Sequence, residues 1–301
     1  MEFIPNIVGQ RYELLERIKE GGNGIIYKGI DIFTGEAVAI KRPIYPSLVK
    51  EFKKEVRILK TLAGIPGIPV VYWNGFHGKT YYLVMQLLGK DLARKYYCNC
   101  TLDYSLYVVR ELLTILQGIH DKGYLHLDLK LENVIVDDDD SSVLYLVDFG
   151  AARTFLDKNG EHIKFDTNVE ELKTTMAFAS VNLLCHCTPS RKDDLIMLGY
   201  LLLDLLNMIP WNYEKTSYGA HIESRLQLTE GGNSDRFPKQ FIEYMMYCEN
   251  LDFDEKPDYD YLRDCLCAMS DKELDNKESL PSVESNVGMK NKINRSALRR
   301  A

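Results

Sequence analysis

The spacing of apolar residues changes near Gly89, and this change constrains the fold more than any other feature. In residues 12–84, apolar and polar residues mostly alternate, which is typical of half-buried β-strands. Turn signals at residues 21–24 (GGNG) and at Thr34-Gly35 separate β-rich segments, which lie at residues 12–19, 25–31, 37–41 and 80–87. The first part of the chain therefore predicts a small antiparallel sheet.

Helical spacing occurs once within this part and dominates after Gly89. Residues 48–62 place four apolar side chains on one face, namely Phe52, Val56, Leu59 and Leu62, so one helix is expected against the sheet. Later helices are expected at residues 102–122, 237–247 and 258–269. The apolar run at residues 195–211 is short for a bilayer and contains Asp204, so it predicts a buried helix.

These elements predict an α+β fold of two lobes. Residues 1–89 form a β-rich lobe with one helix, and residues 90–270 form a larger, mainly helical lobe. In the second lobe, β segments at residues 133–136 and 143–147 flank an acidic run that is expected to be a solvated hairpin tip. Residues 271–301 lack an apolar pattern and end in basic residues, so we expect a flexible tail.

Composition narrows the class of protein. Hydrophobic residues make up 46% of the chain, which is enough for a packed core. The net charge of −7 argues against a dedicated nucleic-acid binder. The first residues, MEFIPNIVGQ, do not resemble a signal peptide, so we expect an intracellular protein, cytoplasmic and/or nuclear, without a membrane span and monomeric. Its seven cysteines lack the CxxC spacing of common zinc sites and are expected to be reduced thiols.

The first group of candidate residues combines a glycine turn with a lysine on the next strand. EGGNGIIYKG at residues 20–29 is followed by VAIK at residues 38–41. Glycines allow the backbone to approach phosphate groups closely, and Lys41 supplies a fixed positive charge. Glu55 on the predicted helix is the candidate partner of Lys41, and the alternative is that both are ordinary surface residues.

The second group follows the helix at residues 102–122. His126, Asp128, Lys130 and Asn133 lie in YLHLDLKLENVIV, and Asp148 begins DFG after the next strand. A hairpin can bring Asp128, Asn133 and Asp148 together, which offers hard oxygen ligands for Mg²⁺ and one carboxylate to accept a proton. Each residue alone is an ordinary polar loop residue, but their combination and order are improbable by chance.

VAIK, HxDLKxxN and DFG in this order resemble the protein kinases. Further segments are similar to the casein kinase I group: GIPGIP, LLGKDL, FASV, SRKDDLIMLGY and LDFDEKPDYDYLRD. NGEHIKF at residues 159–165 is also similar to the vaccinia-related kinases. The resemblance covers residues 12–269 and implies the two-lobed protein kinase fold, with ATP and Mg²⁺ as cofactors.

The resemblance also implies a role for each candidate residue. Lys41, paired with Glu55, would hold the α and β phosphates, Asp128 would be the catalytic base, and Lys130 would steady the transferred group. Asn133 and Asp148 would hold Mg²⁺. The resemblance assigns the remaining nucleotide-binding residues to four kinds of contact. The glycines of the turn would be Gly21 and Gly24, and Asp91 would reach the ribose. The adenine slot would be lined by Ile18, Ile26, Ala39 and Ile135 with Met85 at its back, and the hinge would include Gln86 and Leu88. For Ile18, Ile26 and Ile135, simple strand packing is the alternative.

Three residues depart from the family pattern. Lys19 replaces the first glycine of the GxGxxG loop, which predicts a stiffer loop. Leu127 replaces the arginine of HRD, so we expect activity without phosphate on Thr154, Thr167, Thr174 or Thr175. Ala177 replaces an arginine that binds a phosphate already on the substrate, so recognition of phosphorylated substrates is expected to be weak.

The sequence thus predicts an active serine/threonine kinase of casein kinase I type that acts on protein substrates. DLK, with Lys130 two residues after Asp128, is more similar to serine/threonine kinases than to tyrosine kinases. A pseudokinase that binds nucleotide and serves as a scaffold is the alternative, which Lys19 and Leu127 favour. A lipid or small-molecule kinase is a further alternative.

Overall fold

A computed structural model of the chain describes residues 6–269, except for 22–23, 96–99, 138–139, 141, 171, 212–216 and 230–236. The described residues divide into two compact units, residues 6–63 with 69–88 and residues 64–68 with 89–269. The predicted α+β class, with a β-rich first lobe and a helical second lobe, is confirmed. The predicted tail at residues 271–301 and the centre of the acidic hairpin tip lie outside the described residues.

The first unit is a six-stranded antiparallel sheet with one long helix. The strand order is β1-β2-β3-β4-β6-β5. The strands are β1 (Ile7–Val8), β2 (Tyr12–Gly21), β3 (Gly24–Asp31), β4 (Ala37–Arg42), β5 (Val71–His77) and β6 (Thr80–Gln86). Helix α1 (Val49–Thr61) follows a 3₁₀ turn at Pro46–Leu48 and buries Phe52, Val56 and Leu59, as its spacing predicts.

The second unit is mainly helical. Its helices are α2 (Leu92–Lys95), α3 (Leu102–Asp121), α4 (Val181–Leu184), α5 (Arg191–Leu205), α6 (Tyr218–Thr229), α7 (Lys239–Asn250) and α8 (Tyr259–Ala268). Its short strands are β7 (Lys90–Asp91), β8 (Tyr124–Leu125), β9 (Val134–Val136), β10 (Leu144–Leu146) and β11 (Arg153–Thr154), and a 3₁₀ turn spans Leu131–Asn133. Strand β9 pairs with β10 and with β7, and β8 pairs with β11.

One segment lies in a different unit from the one that its position in the sequence predicts. Residues 64–68 belong to the second unit, although the sequence predicts the lobe boundary at Gly89. Gly67 has a φ of 82°, and its carbonyl accepts a hydrogen bond from the Leu146 N–H at 2.8 Å. A Cβ at this position would clash with Ile115 Cδ1, so the close approach requires glycine.

Helix α5 is buried on nearly all sides, as its apolar sequence predicts. Its first turn is held by a capping box, in which Ser190 and Asp193 exchange hydrogen bonds with each other's backbone. The helix ends at Leu205 instead of continuing toward Trp211, because Asn207 adopts a φ of 54° and Pro210 follows. No helix among the described residues is long and apolar enough to cross a membrane.

We predict that Gly199→Ala destabilises the second unit. A Cβ at Gly199 would clash with Met245 Sδ and would lie 3.3 Å from Tyr244 Cε1, so α5 and α7 would have to move apart. Overpacking of this kind costs about 1–3 kcal/mol in the free energy of unfolding, which urea denaturation would measure. Gly219→Ala in α6 is the control, because a Cβ added there would have no atom within 4 Å and alanine favours a helix. Equal stability of the two variants would contradict the packing argument.

Candidate functional site

Lys41 and Glu55 form a buried ion pair in the first unit. Lys41 Nζ lies 2.5 Å from Glu55 Oε1, and the two side chains are 8% and 5% exposed. Lys41 comes from β4 and Glu55 from the inward face of α1, so the pair joins the helix to the sheet. The surface alternative for these two residues is therefore wrong. Removing one partner of a buried pair leaves an uncompensated charge, so the geometry is strongly maintained.

Strand register brings four predicted nucleotide-binding residues to one face of the sheet. Ile26 lies opposite Lys41 in the β3–β4 pair, and Ala39 lies opposite Met85 in the β4–β6 pair. Since Ala39 and Lys41 are two residues apart in one strand, all four side chains share a face. The opposite face carries an apolar cluster of buried residues, which includes Ile25, Val38, Ile40 and Val84.

The glycine turn connects β2 to β3. Gly21 and Gly24 are paired at the end of the two strands, and Lys19 continues β2 opposite Ile26. A Cβ on Gly24 would lie 2.6 Å from the carbonyl oxygen of Arg42, so glycine permits a close backbone approach there. Ile18, predicted for the adenine slot, lies in β2 and is 44% exposed.

The predicted hinge begins where β6 ends. The N–H of Gln86 donates to the carbonyl of Val70 at 2.8 Å, so it extends the sheet. The N–H of Gln86 is therefore engaged within the sheet, and contacts between the hinge residues 86–88 and adenine stay a prediction. Asp91 is buried, and its carboxylate accepts the N–H of Arg94 at 2.9 Å at the start of α2. This capping role was not predicted. Asp91 lies opposite Ile135 in the β7–β9 pair, and its contact with ribose stays a prediction.

Asp194 of α5 fixes the backbone that precedes Asp128. Its Oδ2 accepts the N–H of His126 at 2.8 Å, and its Oδ1 accepts the N–H of Leu127 at 2.7 Å. Leu127 has a φ of 65° and its side chain is buried, so its backbone adopts a left-handed conformation that residues other than glycine disfavour. The two charge-assisted bonds hold this strained turn in place.

His120 completes the surroundings of Asp194. Its Nε2 lies 3.0 Å from Asp194 Oδ2, and its Nδ1 lies 2.6 Å from the hydroxyl of Tyr259. Burial opposes ionisation of Asp194, but its hydrogen bonds with the His120 side chain and with the His126 N–H hold the pKa of this carboxyl below its usual value. Helical spacing predicts His120 on the inward face of α3, but no sequence pattern indicates this contact.

The carboxylate of Asp128 accepts hydrogen bonds from three side chains. Its Oδ2 lies 3.0 Å from Asn133 Nδ2 and 2.8 Å from Lys130 Nζ. Its Oδ1 accepts both the N–H of Thr175, at 2.9 Å, and the Thr175 hydroxyl, at 2.7 Å. Lys130 also donates to the Thr175 hydroxyl at 2.8 Å. Sequence reasoning treated Thr175 only as a phosphorylation candidate and missed its place at the site.

Asn133 and Asp148 fit the expected magnesium site by their chemistry. The Asn133 amide nitrogen donates to both the carbonyl and the carboxylate of Asp128, so the amide oxygen is the atom suited to a cation. The N–H of Val147 donates to the Asn133 carbonyl at 2.9 Å, which fixes the start of DFG beside Asn133. Asp148 adopts a φ of 64°, and Phe149 packs edge-on against His126.

A buried arginine holds the segment that follows Thr175. Arg225 of α6 is 1% exposed and donates to the carbonyls of Met176, Ala177 and Ala179 at 3.2, 2.5 and 3.3 Å. Its guanidinium lies 4.0 Å from the ring centre of Trp211, whose Nε1 also donates to the Ala177 carbonyl at 3.0 Å. These contacts fix the backbone path of residues 176–179, and no local sequence pattern indicates them.

Asp193 anchors the end of the same segment. Its carboxylate accepts hydrogen bonds from the Ser180 hydroxyl at 2.6 Å and from Asn182 Nδ2 at 3.1 Å. Burial raises the pKa of Asp193 to about 6, although these hydrogen bonds favour the charged form. The two adjacent acids of α5 therefore have separate tasks, since Asp193 holds residues 180–182 and Asp194 holds residues 126–127.

Comparison with known proteins agrees with this site. The protein kinase domain family model matches residues 12–275. Casein kinase I homolog 3 of Schizosaccharomyces pombe (strain 972 / ATCC 24843) is 31% identical over 276 residues, which cover 86% of this chain. The chain spans 62% of the length of that relative. The resemblance to protein kinases and to the casein kinase I group is confirmed.

We predict that Asp194→Asn loosens the turn at Leu127. An amide has one acceptor oxygen, so the N–H of His126 or of Leu127 loses its partner, at a cost of about 1–3 kcal/mol in unfolding free energy. Because the folded-state pKa of Asp194 is lowered, its stabilising charge is present above the unfolded pKa of about 3.9 and is lost as pH falls below it.

The stability deficit of Asp194→Asn should therefore be largest at neutral pH and should shrink only as the pH falls below about 3.9, as measured by urea denaturation. Exposed Asp252→Asn is the control for the chemical change. A deficit that grows on acidification would contradict the assignment of Asp194 as the charged acceptor.

Proposed function

The chain belongs to the protein kinase domain family, and from this we propose that it is an active serine/threonine kinase of casein kinase I type. The substrates would be serine and threonine hydroxyls of proteins. The observation that supports this proposal best is the Thr175 hydroxyl, which is hydrogen-bonded to both Asp128 and Lys130. An aliphatic alcohol thus already lies beside the proposed base, in the orientation from which a proton can be accepted.

Each residue would contribute through the contacts described above. MgATP supplies the phosphoryl group, and Lys41, held by Glu55, would bind its phosphate oxygens. Asp128 would accept the hydrogen bond and then the proton of the substrate hydroxyl, while Lys130 would stabilise negative charge that develops beside it. Asn133 and Asp148 would hold Mg²⁺.

The buried side chain of Leu127 supports activity without phosphate in residues 150–179. This side chain is 1% exposed and carries no charge that could bind a phosphate. Leu127 stands where the family has an arginine, and the turn at this position is held by backbone N–H groups that donate to the carboxylate of Asp194. The same replacement also motivates the alternative function, a pseudokinase that binds nucleotide without useful transfer.

We expect Asp128→Asn to reduce phosphate transfer at least ~100-fold, because it removes the proton acceptor. Incorporation of radiolabel from ATP into casein and into the protein itself measures this, with exposed Asp252→Asn as the matched control. Equal incorporation by wild type and Asp128→Asn would refute the assignment. A thermal shift that grows with MgATP concentration, combined with no transfer to any peptide of a library, would establish the pseudokinase alternative.

The residues around Ala177 support weak recognition of a substrate that already carries a phosphate. Arg225 is buried against backbone carbonyls and Trp211. Arg191 and Lys192 donate to the carbonyls of Asp254 and Leu251 at 2.5 and 2.9 Å. These three cations are therefore engaged in contacts within the structure.

We predict that a phosphoserine upstream of the acceptor improves kcat/KM by less than about tenfold, the selectivity that 1.4 kcal/mol gives. The measurement compares a phosphorylated peptide with its unphosphorylated twin. Ala177→Arg should increase the preference, because it adds a cation where the family has one. A preference of a hundredfold in the unmodified protein would contradict the prediction.

A further inference from the structure

A groove in the first unit lies between α1 and the β5–β6 hairpin, on a part of α1 that does not face Lys41. Its volume is about 510 Å³, within the range of about 300–1,000 Å³ that is usual for binding sites. Phe76 and Tyr81 form its aromatic wall, and Phe76 is 54% exposed. An aromatic side chain this exposed, in a concave surface, offers apolar area that a partner can cover.

The groove is positively charged although the chain is acidic. Lys53, Arg57 and Lys60 line it from α1, and all three are exposed. Among the described residues that line it there is no carboxylate. Since the whole chain has a net charge of −7, this surface reverses the prevailing sign and favours an anionic partner.

Charge and apolar surface are combined within the groove. Lys53 Nζ lies 4.7 Å from the ring centre of Phe76 and 5.2 Å from that of Tyr81. The cation is therefore held over the aromatic wall, so a ligand that pairs with it also meets the rings. A carboxylate next to an aromatic side chain satisfies both features, and an acidic peptide that contains one aromatic residue carries them.

We propose that this groove is a docking site for an acidic peptide segment of a partner protein, with one aromatic side chain placed against Phe76 and Tyr81. The proposal does not depend on catalysis. Tyr81 packs edge-on against Phe52 at 6.1 Å, and Lys41 Nζ lies 5.6 Å from the Phe52 ring centre. The docked segment would thus contact the packing that supports the Lys41–Glu55 pair.

The test is peptide binding to the full chain that carries Asp128→Asn, so that turnover cannot interfere. The probe is a fluorescein-labelled nonapeptide of Asp and Glu residues with one central Phe, followed by fluorescence anisotropy at about 0.1 M salt. We expect the double variant Arg57→Glu, Lys60→Glu to raise Kd at least about tenfold. Lys50→Glu, an exposed change on the same helix outside the groove, should raise it less than about threefold.

A second arm tests the aromatic contact. Replacing the central Phe of the peptide by Ala should weaken binding about tenfold, as should Phe76→Ala in the protein. Circular dichroism of each variant establishes that it is folded. The proposal is overturned if the peptide does not bind at millimolar concentration. It is also overturned if Lys50→Glu weakens binding as much as the double variant, or if the Phe is irrelevant, because both results indicate diffuse charge attraction.

Discussion

The carboxylate of Asp194 is the interaction on which the second unit depends. It is buried within α5, yet it receives two backbone N–H groups from residues 126–127 and a contact from His120. A buried charge is stable only with such compensation, so removing any one donor raises the free energy of the folded state. The position of Asp128 is therefore set from the core outward: α5 fixes Asp194, Asp194 fixes the turn at Leu127, and the turn presents the base.

In the first unit, strand register has the corresponding role. The pairing of β3, β4 and β6 decides which side chains share a face, and a shift of one residue would send Lys41 to the apolar core. Glu55 can reach Lys41 only because α1 packs on that same face. The ion pair and the register therefore support each other, and this is why a charged pair is tolerated at such low exposure.

Much of the fold and of the candidate site was predictable from the sequence, and the features that could not be predicted have physical causes. Long periodic segments such as α1 and α3 carry their own signal, and so do motif residues that are close in sequence, such as Asp128, Lys130 and Asn133. Strands β1 and β5 were not singled out, since β1 has two residues and β5 lacks clear alternation of burial. Contacts between distant segments, such as those of Thr175, Arg225 and Asp193, leave no local pattern, because only the fold brings them together.

The contacts of Arg225 in α6 also determine which changes the segment at residues 176–179 can tolerate. Arg225 donates hydrogen bonds to the main-chain carbonyls of residues 176, 177 and 179, and every amino acid has such a carbonyl. The backbone at residue 177 is consequently held by a carbonyl that any residue there would supply, while Phe178 and Ala179 add buried side chains to this stretch. Such a segment can exchange an arginine for an alanine, as at residue 177, without losing its path, so its preference among targets can diverge between related proteins while the fold remains unchanged.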